Sequence, residues 1–293
     1  DQISIGQFVA AEVIIVLVVN SVEKLILSLE TVYDTLVSLE KLGHVMDLEL
    51  EHNGPAEKIV EAQPAGLKFS MENVVFQPQD ALEPILKGAS LEILPGKKVV
   101  VTGSSGSGRS ALLALFAGLY ESYEGYVKIN DLSLEMINLD KFRAQVGDYL
   151  ELQQIFHGTV KENILMGRDF DQSQLAYILD LVGLKDFIYQ WPNGLETLLQ
   201  PEGRGLSKSI AQRILLARAF VGQPKALIME EVLQYLDSEM KTRISDYLFR
   251  GNWTLLLVSD EEETLKRADE VVLMEHGKVV FHGNFEAYKK FKS

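Results

Sequence analysis

The sequence predicts an α/β fold for residues 67–293, preceded by one long apolar helix. Two observations predict the α/β part. Val99–Thr102 reads as a buried strand that leads into a glycine-rich loop and an apolar helix, and Pro224–Asp237 begins with a second buried strand that ends in two carboxylates. The third observation predicts the helix, because no proline or glycine interrupts Phe8–Leu42.

The apolar N-terminal segment supports two interpretations. The run Phe8–Val19 is broken only by Glu12, but it is shorter than the roughly 20 apolar residues that span a bilayer. It is either the last membrane helix of a bundle, with Glu12 facing the interior, or a buried helix of a soluble protein. From 22 to 39, leucines and valines recur at helical spacing, so we expect this amphipathic part to leave the membrane and pack against protein. Gly43 is expected to end the helix.

Composition shifts divide the chain into three parts. Residues 1–47 form the helix and its extension, and residues 48–66 are polar, with two prolines and two glycines, which predicts a linker. Residues 67–293 form the α/β domain, in which Leu67–Phe76 is its first strand. Because the first residue is Asp1 rather than Met, we expect a fragment or a processed chain.

The overall composition excludes several function classes. An apolar content of 47% argues against wholesale disorder, and the net charge of −14 (28 basic minus 42 acidic residues) disfavours a nucleic-acid binder. The absence of cysteine excludes disulfides, thiolate metal sites and cysteine nucleophiles. Five scattered histidines also disfavour a histidine-rich metal site.

The glycine-rich loop has the chemistry of a phosphate site. In such a loop, successive backbone N–H groups and the positive end of the next helix converge on phosphate oxygens. "GSSGSGRS", residues 103–110, fits the P-loop pattern G-x-x-x-x-G-K-[ST], except that Arg109 replaces the lysine. Two alternatives are a structural turn and a dinucleotide site, since Gly106–Ala111 also fits G-x-G-x-x-A and Asp131 lies near where a ribose-binding acid is found.

The acids at the end of the second buried strand favour the P-loop interpretation. A P-loop enzyme needs one acid on a neighbouring strand to hold Mg²⁺ and a second acid to polarise water. Glu230 and Glu231 occupy that place in the chain order, and a dinucleotide-binding domain does not require such a pair.

From Leu67 onward, the chain resembles the nucleotide-binding domain of an ABC transporter. The resemblance rests on the P-loop, the strand before Glu230, "GDYLELQQIFHGTVKENILMG", "NGLETLLQPEGRGLSKSIAQRILLARAF" and "ADEVVLMEHGKVVFHGNFEAY". The preceding "SIGQFVAAEVIIV" resembles the start of the last membrane helix of an ABC exporter half. The implied fold is a P-loop NTPase core with an antiparallel β subdomain and a helical subdomain at about 170–224.

The resemblance also implies roles for individual residues. ATP phosphates would be bound by the loop, and Mg²⁺ by Ser110 with Glu230 and the residue at the Q-loop position, Glu151. Glu231 occupies the position of the catalytic glutamate, and Asp260 that of the switch histidine. The signature, which acts on a nucleotide of the opposing domain, contributes Ser207 and Lys208, and the D-loop contributes Asp237. The nucleotide-contacting loop residues are Gly103, Ser104, Ser105, Gly106, Ser107, Gly108, Arg109, Ser110 and Ala111.

Several of these positions depart from the family pattern. Glu151 replaces glutamine, Asp260 replaces histidine, and Lys208 and the two residues after it replace Gly-Gly-Gln. Each new carboxylate would lie near the terminal phosphate, where two charges about 4 Å apart interact by roughly 4 kcal/mol at an effective dielectric near 20. Pro78 stands where an aromatic residue would stack on adenine, so we expect stacking to be lost unless Phe76 or Tyr126 compensates.

Together these features predict an ATP-binding subunit of a membrane exporter with weak or absent ATP hydrolysis. The partners expected are a second ABC subunit, identical or different, and an upstream transmembrane domain. The nucleotide-binding domain would be cytoplasmic, at a bacterial inner membrane. The alternative is a non-hydrolysing scaffold or regulatory half that pairs with an active subunit.

Overall fold

The computed structural model describes residues 4–48, 51, 66–151, 153–234 and 236–292. Its internal contacts divide the chain into two units, Asp1–Glu51 and His52–Ser293. Most of the predicted linker lies outside the described residues, so its boundaries stay a prediction.

The first unit is a single helix, α1 (Ile5–Met46). It begins with a capping box, in which the Ser4 side chain accepts from the Gln7 N–H and the Gln7 side chain accepts from the Ser4 N–H. The expectation that Gly43 ends the helix is wrong, because α1 runs through Gly43 and its carbonyl accepts from the Asp47 N–H at 2.8 Å. One glycine costs a helix interior only about 1 kcal/mol, which the flanking leucines and valines tolerate.

Helix α1 has the length and apolar character of a membrane-spanning helix. Its most apolar 18-residue window has a mean hydropathy of 2.1, and none of its residues is buried. By length and composition alone, it is long and apolar enough to cross a bilayer.

The second unit alternates strands and helices. Its strands are β1 (Phe69–Phe76), β2 (Leu86–Ile93), β3 (Lys98–Thr102), β4 (Glu124–Ile129), β5 (Leu132–Ser133), β6 (Val146–Tyr149), β7 (Gly158–Thr159), β8 (Leu198–Leu199), β9 (Ala226–Glu230), β10 (Thr254–Val258), β11 (Glu270–Glu275) and β12 (Lys278–Gly283). Its helices are α2 (Arg109–Phe116), α3 (Leu139–Arg143), α4 (Val160–Leu165), α5 (Gln172–Leu181), α6 (Lys185–Gln190), α7 (Lys208–Phe220), α8 (Ser238–Arg250), α9 (Glu262–Arg267) and α10 (Phe285–Lys292).

A six-stranded sheet forms the centre of this unit, in the order β12-β11-β3-β10-β9-β6. All its neighbouring strands run parallel except β11 and β12. Strand β3 is buried along its whole length, as the valine run predicts for a strand covered on both faces. Val258 of β10 pairs with Val101 on one side and with Glu230 on the other, so the three central strands end at one edge.

A second sheet has the order β2-β1-β4-β5 and is antiparallel throughout. This confirms the predicted antiparallel β subdomain. It also contradicts the dinucleotide interpretation, because β4 lies in this sheet and not beside β3. Asp131 follows β4 and pairs with the Lys68 ammonium at 2.9 Å, away from the glycine-rich loop.

The stretch predicted to be helical, about 170–224, contains α5, α6 and α7. The apolar side chains of these three helices pack against one face of the central sheet and form one hydrophobic core with it. The opposite face of the central sheet forms a second hydrophobic core with the antiparallel sheet and α2. The central sheet is therefore the scaffold that positions the loops at its carboxyl edge.

Candidate functional site

The candidate site lies at the carboxyl edge of the central parallel strands. The glycine-rich loop follows β3, Asp260 follows β10, Glu231 follows β9 and Glu151 follows β6. Ligands of open parallel sheets bind outside this edge. A cleft of about 800 Å³ occupies it, lined by Pro84, Ile85, Lys87, Ser105, Gly106, Gly108, Arg109, Ser110, Ala111, Tyr149, Leu150, Glu151, Gln153, Leu215, Glu230, Glu231, His276 and Gly277.

Two glycines of the loop are required by the space around them. Gly103 has φ +145°, and a Cβ added to it would lie 2.3 Å from the Met274 carbonyl oxygen. Gly108 has φ +98°, and its Cβ would lie 2.8 Å from the Leu86 side chain. The loop is therefore wedged between the antiparallel sheet and β11, with no room for side chains at these two positions.

The remainder of the loop fits a bound phosphate. Gly106 has φ +78° and open space around the position of its missing Cβ. Ser107 is 2% exposed and does not line the cleft, so its hydroxyl is not placed to reach a bound phosphate. Gly108 caps the N-terminus of α2, where the first N–H groups lack partners within the helix and the helix dipole is positive. An anion with several oxygens would satisfy these donors.

The Arg109 side chain is held by two carboxylates. Its Nη1 donates to Asp260 Oδ2 at 2.9 Å, and its Nη2 lies 3.6 Å from Glu231 Oε1. The side chain of Arg109 is 11% exposed, whereas those of Asp260 and Glu231 are 59% and 40% exposed, so the guanidinium is largely buried and its acidic partners face solvent. The cation of the phosphate loop is thus already balanced by acids of the same chain.

Asp260 gathers further donors from the end of β3 and the start of the loop. Its Oδ1 accepts from the Thr102 hydroxyl at 2.5 Å and from the Gly103 N–H at 3.3 Å. Burial raises the pKa of Asp260, but hydrogen bonds from Thr102 and Arg109 and the Arg109 charge outweigh it, so the pKa lies below its ordinary value. Asp260 is therefore ionised at neutral pH.

A second polar chain runs along the cleft. The Ser110 hydroxyl donates to Glu230 Oε1, and Glu230 Oε2 accepts from the Glu151 N–H at 3.1 Å. The Ser110 hydroxyl and the Glu230 carboxylate offer oxygen ligands, which Mg²⁺ prefers. Among the described residues, no group of three or more His, Cys, Asp or Glu residues is arranged to hold a metal ion alone. Bound Mg²⁺ would therefore need phosphate oxygens besides Ser110 and the acids.

The glutamine nearest to Glu151 is engaged in a buried network. Gln153 lines the cleft, but its side-chain amide donates to Asp148 Oδ2 at 2.6 Å. Burial raises the pKa of Asp148, and the Gln153 hydrogen bond and the charges of Arg168 and Arg218 offset only part of the rise. The sequence did not predict this network. Strand β6 has only four residues, which is too short for an alternation of polar and apolar residues to show that Asp148 faces inward.

The signature residues do not line this cleft. The Ser207 side chain caps α7 by accepting from the Ile210 N–H at 3.3 Å, and Lys208 is the exposed first residue of that helix. Asp237 caps α8 through the Met240 N–H at 2.9 Å, and its other carboxylate oxygen lies 3.6 Å from Arg213. All three predicted residues are helix caps or first-turn residues outside the cleft.

Neither aromatic residue proposed to replace an adenine platform lines the cleft. Phe76 is buried and stacks against Tyr120 with ring centroids 4.6 Å apart, so the structure contradicts its proposed compensating role. Tyr126 is exposed, with the Lys128 ammonium 5.6 Å from its ring centroid, and it is absent from the lining. Pro84, Ile85 and His276 are among the residues that do line the cleft, and His276 lies in the turn between β11 and β12.

The chain is similar in sequence to the ABC transporter family and to known export proteins. The ABC transporter family profile matches residues 86–234. The chain is 28% identical to the leukotoxin export ATP-binding protein LtxB of Aggregatibacter actinomycetemcomitans, over 98% of this chain and 41% of that protein. It is 27% identical to the ATP-dependent lipid A-core flippase of Haemophilus ducreyi, over 88% of this chain and 46% of that protein.

A solved structure of a bacterial Atm1-family ABC exporter with ATP bound shares the fold. The TM-score is 0.76 at 22% sequence identity, over 90% of this chain and 46% of that chain. The chain thus spans less than half the length of each of these relatives. The family match implies ATP binding, generally with Mg²⁺. The chain belongs to the ABC transporter family, and its second unit has the nucleotide-binding fold of that family.

Proposed function

We propose that this chain is an ATP-binding subunit of an ABC exporter that couples nucleotide binding to transport across a membrane, with weak or absent ATPase activity of its own. The phosphate-compatible loop and the family match support nucleotide binding. The similarity to export proteins over nearly the whole chain and the length of α1 support a membrane location, with α1 as the last transmembrane helix.

The observation that carries the proposal is the enclosure of Arg109 by Asp260 and Glu231. An efficient phosphate site keeps its cation available for the charge that develops on the phosphoryl group. Here the guanidinium is neutralised before any nucleotide arrives. A triphosphate must displace or share these carboxylates, which lowers both its affinity and the stabilisation of a transition state.

The remaining groups have proposed roles in what chemistry survives. Ser110 and Glu230 would hold Mg²⁺ together with phosphate oxygens, and Glu151 lies beside them. Glu231 would orient an attacking water. Because Glu231 also pairs with Arg109, its carboxylate is partly committed elsewhere.

We further propose that a second ABC subunit completes the site. ABC exporters work as dimers with membrane domains, and Ser207 and Lys208 lie outside the cleft of their own chain. They would face the nucleotide of a partner, identical or different. The enclosed Arg109 and the replaced signature glycines favour one variant of this proposal, a pseudo-ATPase half that scaffolds or regulates an active subunit.

The proposed location is a bacterial inner membrane, with the nucleotide-binding unit in the cytoplasm. The similarity of 98% of this chain to the leukotoxin export ATP-binding protein of Aggregatibacter actinomycetemcomitans supports this location.

Titration of the 293-residue chain in detergent with fluorescent ATP and Mg²⁺ tests the proposal. We expect saturable binding, with a dissociation constant no weaker than about 1 mM, and a loss of at least about tenfold in Arg109→Ala, because this variant leaves the carboxylates of Asp260 and Glu231 without a balancing charge near the phosphates. Arg204→Ala is the matched control, since Arg204 is an exposed arginine outside the cleft. Absence of binding at millimolar ATP would overturn the proposal.

A further inference from the structure

We infer that the cleft selects nucleoside diphosphates over nucleoside triphosphates, because the Asp260 carboxylate occupies the Arg109 guanidinium that a third phosphate would need. The inference rests on the proposed function, in which the cleft binds nucleotide through the glycine-rich loop.

Asp260 is bound as an anionic ligand would be. Three donors converge on its two oxygens: the Thr102 hydroxyl, the Gly103 N–H and the Arg109 guanidinium. Carboxylates and phosphoryl groups present similar oxygen pairs to a guanidinium, and both accept charge-assisted hydrogen bonds. The carboxylate therefore stands in for a phosphoryl group in this part of the loop.

The donors that serve the first two phosphates are not occupied in the same way. In P-loops, the backbone N–H groups cradle the α- and β-phosphates, and the basic residue reaches the β- and γ-phosphates. Gly106 leaves open space beside the loop, and the first backbone N–H groups of α2, after Gly108, lack partners within the helix. Two phosphates can therefore bind these backbone donors without displacing Asp260 from Arg109.

A third phosphate meets both lost donors and repulsion. Its charge would approach Arg109, where Asp260 and Glu231 already lie within 3.6 Å of the guanidinium. Like charges a few ångströms apart repel strongly even at an effective dielectric near 20, and Mg²⁺ held at Ser110 would offset only part of this repulsion. A site of this kind retains the diphosphate and takes up the triphosphate poorly.

Isothermal titration of the full chain in detergent tests the inference, with saturating Mg²⁺ and either ADP or the non-hydrolysable β,γ-imido analogue of ATP. We expect ADP to bind at least about tenfold more tightly than the analogue. Asp260→Asn removes the charge with little change of shape, and we expect it to bring the two affinities to within about threefold of each other. Glu263→Gln makes the same charge change on exposed α9 and should keep the tenfold preference.

The outcomes separate the inference from the proposed function. Equal affinities, or tighter binding of the analogue by the natural chain, would overturn diphosphate selection while leaving nucleotide binding intact. Binding of neither ligand at millimolar concentration would overturn both. The affinity ratio of the natural chain decides the matter even if Asp260→Asn does not fold.

Discussion

The Asp260 carboxylate lies 2.9 Å from the Arg109 guanidinium, although 151 residues separate them in the chain. The contact follows from sheet order, because β3 and β10 are neighbouring parallel strands whose ends meet at one edge. Asp260, which follows β10, therefore competes with a bound phosphate for the Arg109 guanidinium. The predictions below concern this pair and the scaffold that holds it.

Restoring the uncharged side chains at two positions should strengthen triphosphate binding. The double variant Glu151→Gln, Asp260→His removes two carboxylates and leaves Arg109 paired with Glu231 alone. We expect its affinity for the β,γ-imido analogue of ATP to rise at least about tenfold, since 1.4 kcal/mol corresponds to a factor of ten. Equilibrium titration against the natural chain measures this change.

The matched control for that experiment is Glu239→Gln, Glu263→Gln, which removes the same number of acids from exposed helix surfaces. A comparable gain in the control would mean that total charge, and not the position of the carboxylates, governs affinity.

The Arg109–Asp260 pair should stabilise the fold at constant strength through neutral pH. The pKa of Asp260 lies below its ordinary value, despite the opposing effect of burial. For an acid with a lowered folded-state pKa, the stability contribution is complete above the unfolded-state pKa and is lost as pH falls through the folded-state pKa. We expect the melting-temperature difference between the natural chain and Asp260→Asn to stay constant between about pH 6 and 8 and to shrink only below about pH 4. A difference that changes between pH 6 and 8 would show that Asp260 titrates there.

The buried arginine of α7 should be essential for stability. Arg218 is 7% exposed and donates to the Asn163 carbonyl at 2.7 Å, the Asn163 side chain at 3.0 Å and the Gln154 carbonyl at 3.1 Å. The ammonium of Arg218→Lys cannot make the three hydrogen bonds that the planar guanidinium donates. We therefore expect a loss of about 2–4 kcal/mol in the free energy of unfolding. Arg204→Lys, at an exposed ion pair, should cost less than about 0.5 kcal/mol. Similar losses in the two variants, measured by denaturant unfolding, would refute the role of the network.

Two alanine substitutions in the glycine-rich loop should differ in their cost. In Gly106→Ala the new methyl group meets open space, so the cost is the strain of a positive φ, about 1 kcal/mol. In Gly103→Ala the methyl group meets a backbone carbonyl at 2.3 Å, so β11 or the loop must move. We expect a clearly larger drop in melting temperature for Gly103→Ala, and equal drops would contradict the wedged geometry of the loop.

The sequence predicted the parts of the fold that follow from local pattern. The valine strand, the loop after it and the strand before Glu230 were predicted with correct order, because buried parallel strands give continuous apolar runs. The antiparallel subdomain was predicted from the family resemblance and not from local pattern, and the observed sheet confirms it. The predicted end of α1 at Gly43 was wrong, because a single glycine without a following proline is a weak signal for the end of a helix.

Contacts between distant side chains were beyond sequence reasoning. Glu151 and Asp260 were predicted to weaken phosphate binding, but the pairing of Asp260 with Arg109 depends on rotamers and strand register. The burial of Phe76 against Tyr120 depends on which face of β1 meets α2 and its C-terminal turn. Such packing choices are set by the assembled core and leave no signal in a single short strand.

ATP turnover by the chain and by Glu231→Gln tests the central claim most directly. If Asp260 and Glu231 keep Arg109 from the terminal phosphate, steady-state phosphate release by the 293-residue chain with Mg²⁺ and millimolar ATP should equal the background rate, and Glu231→Gln should leave it unchanged. Turnover well above background that Glu231→Gln abolishes would contradict the account, because it would show that the carboxylates around Arg109 permit an active ATPase.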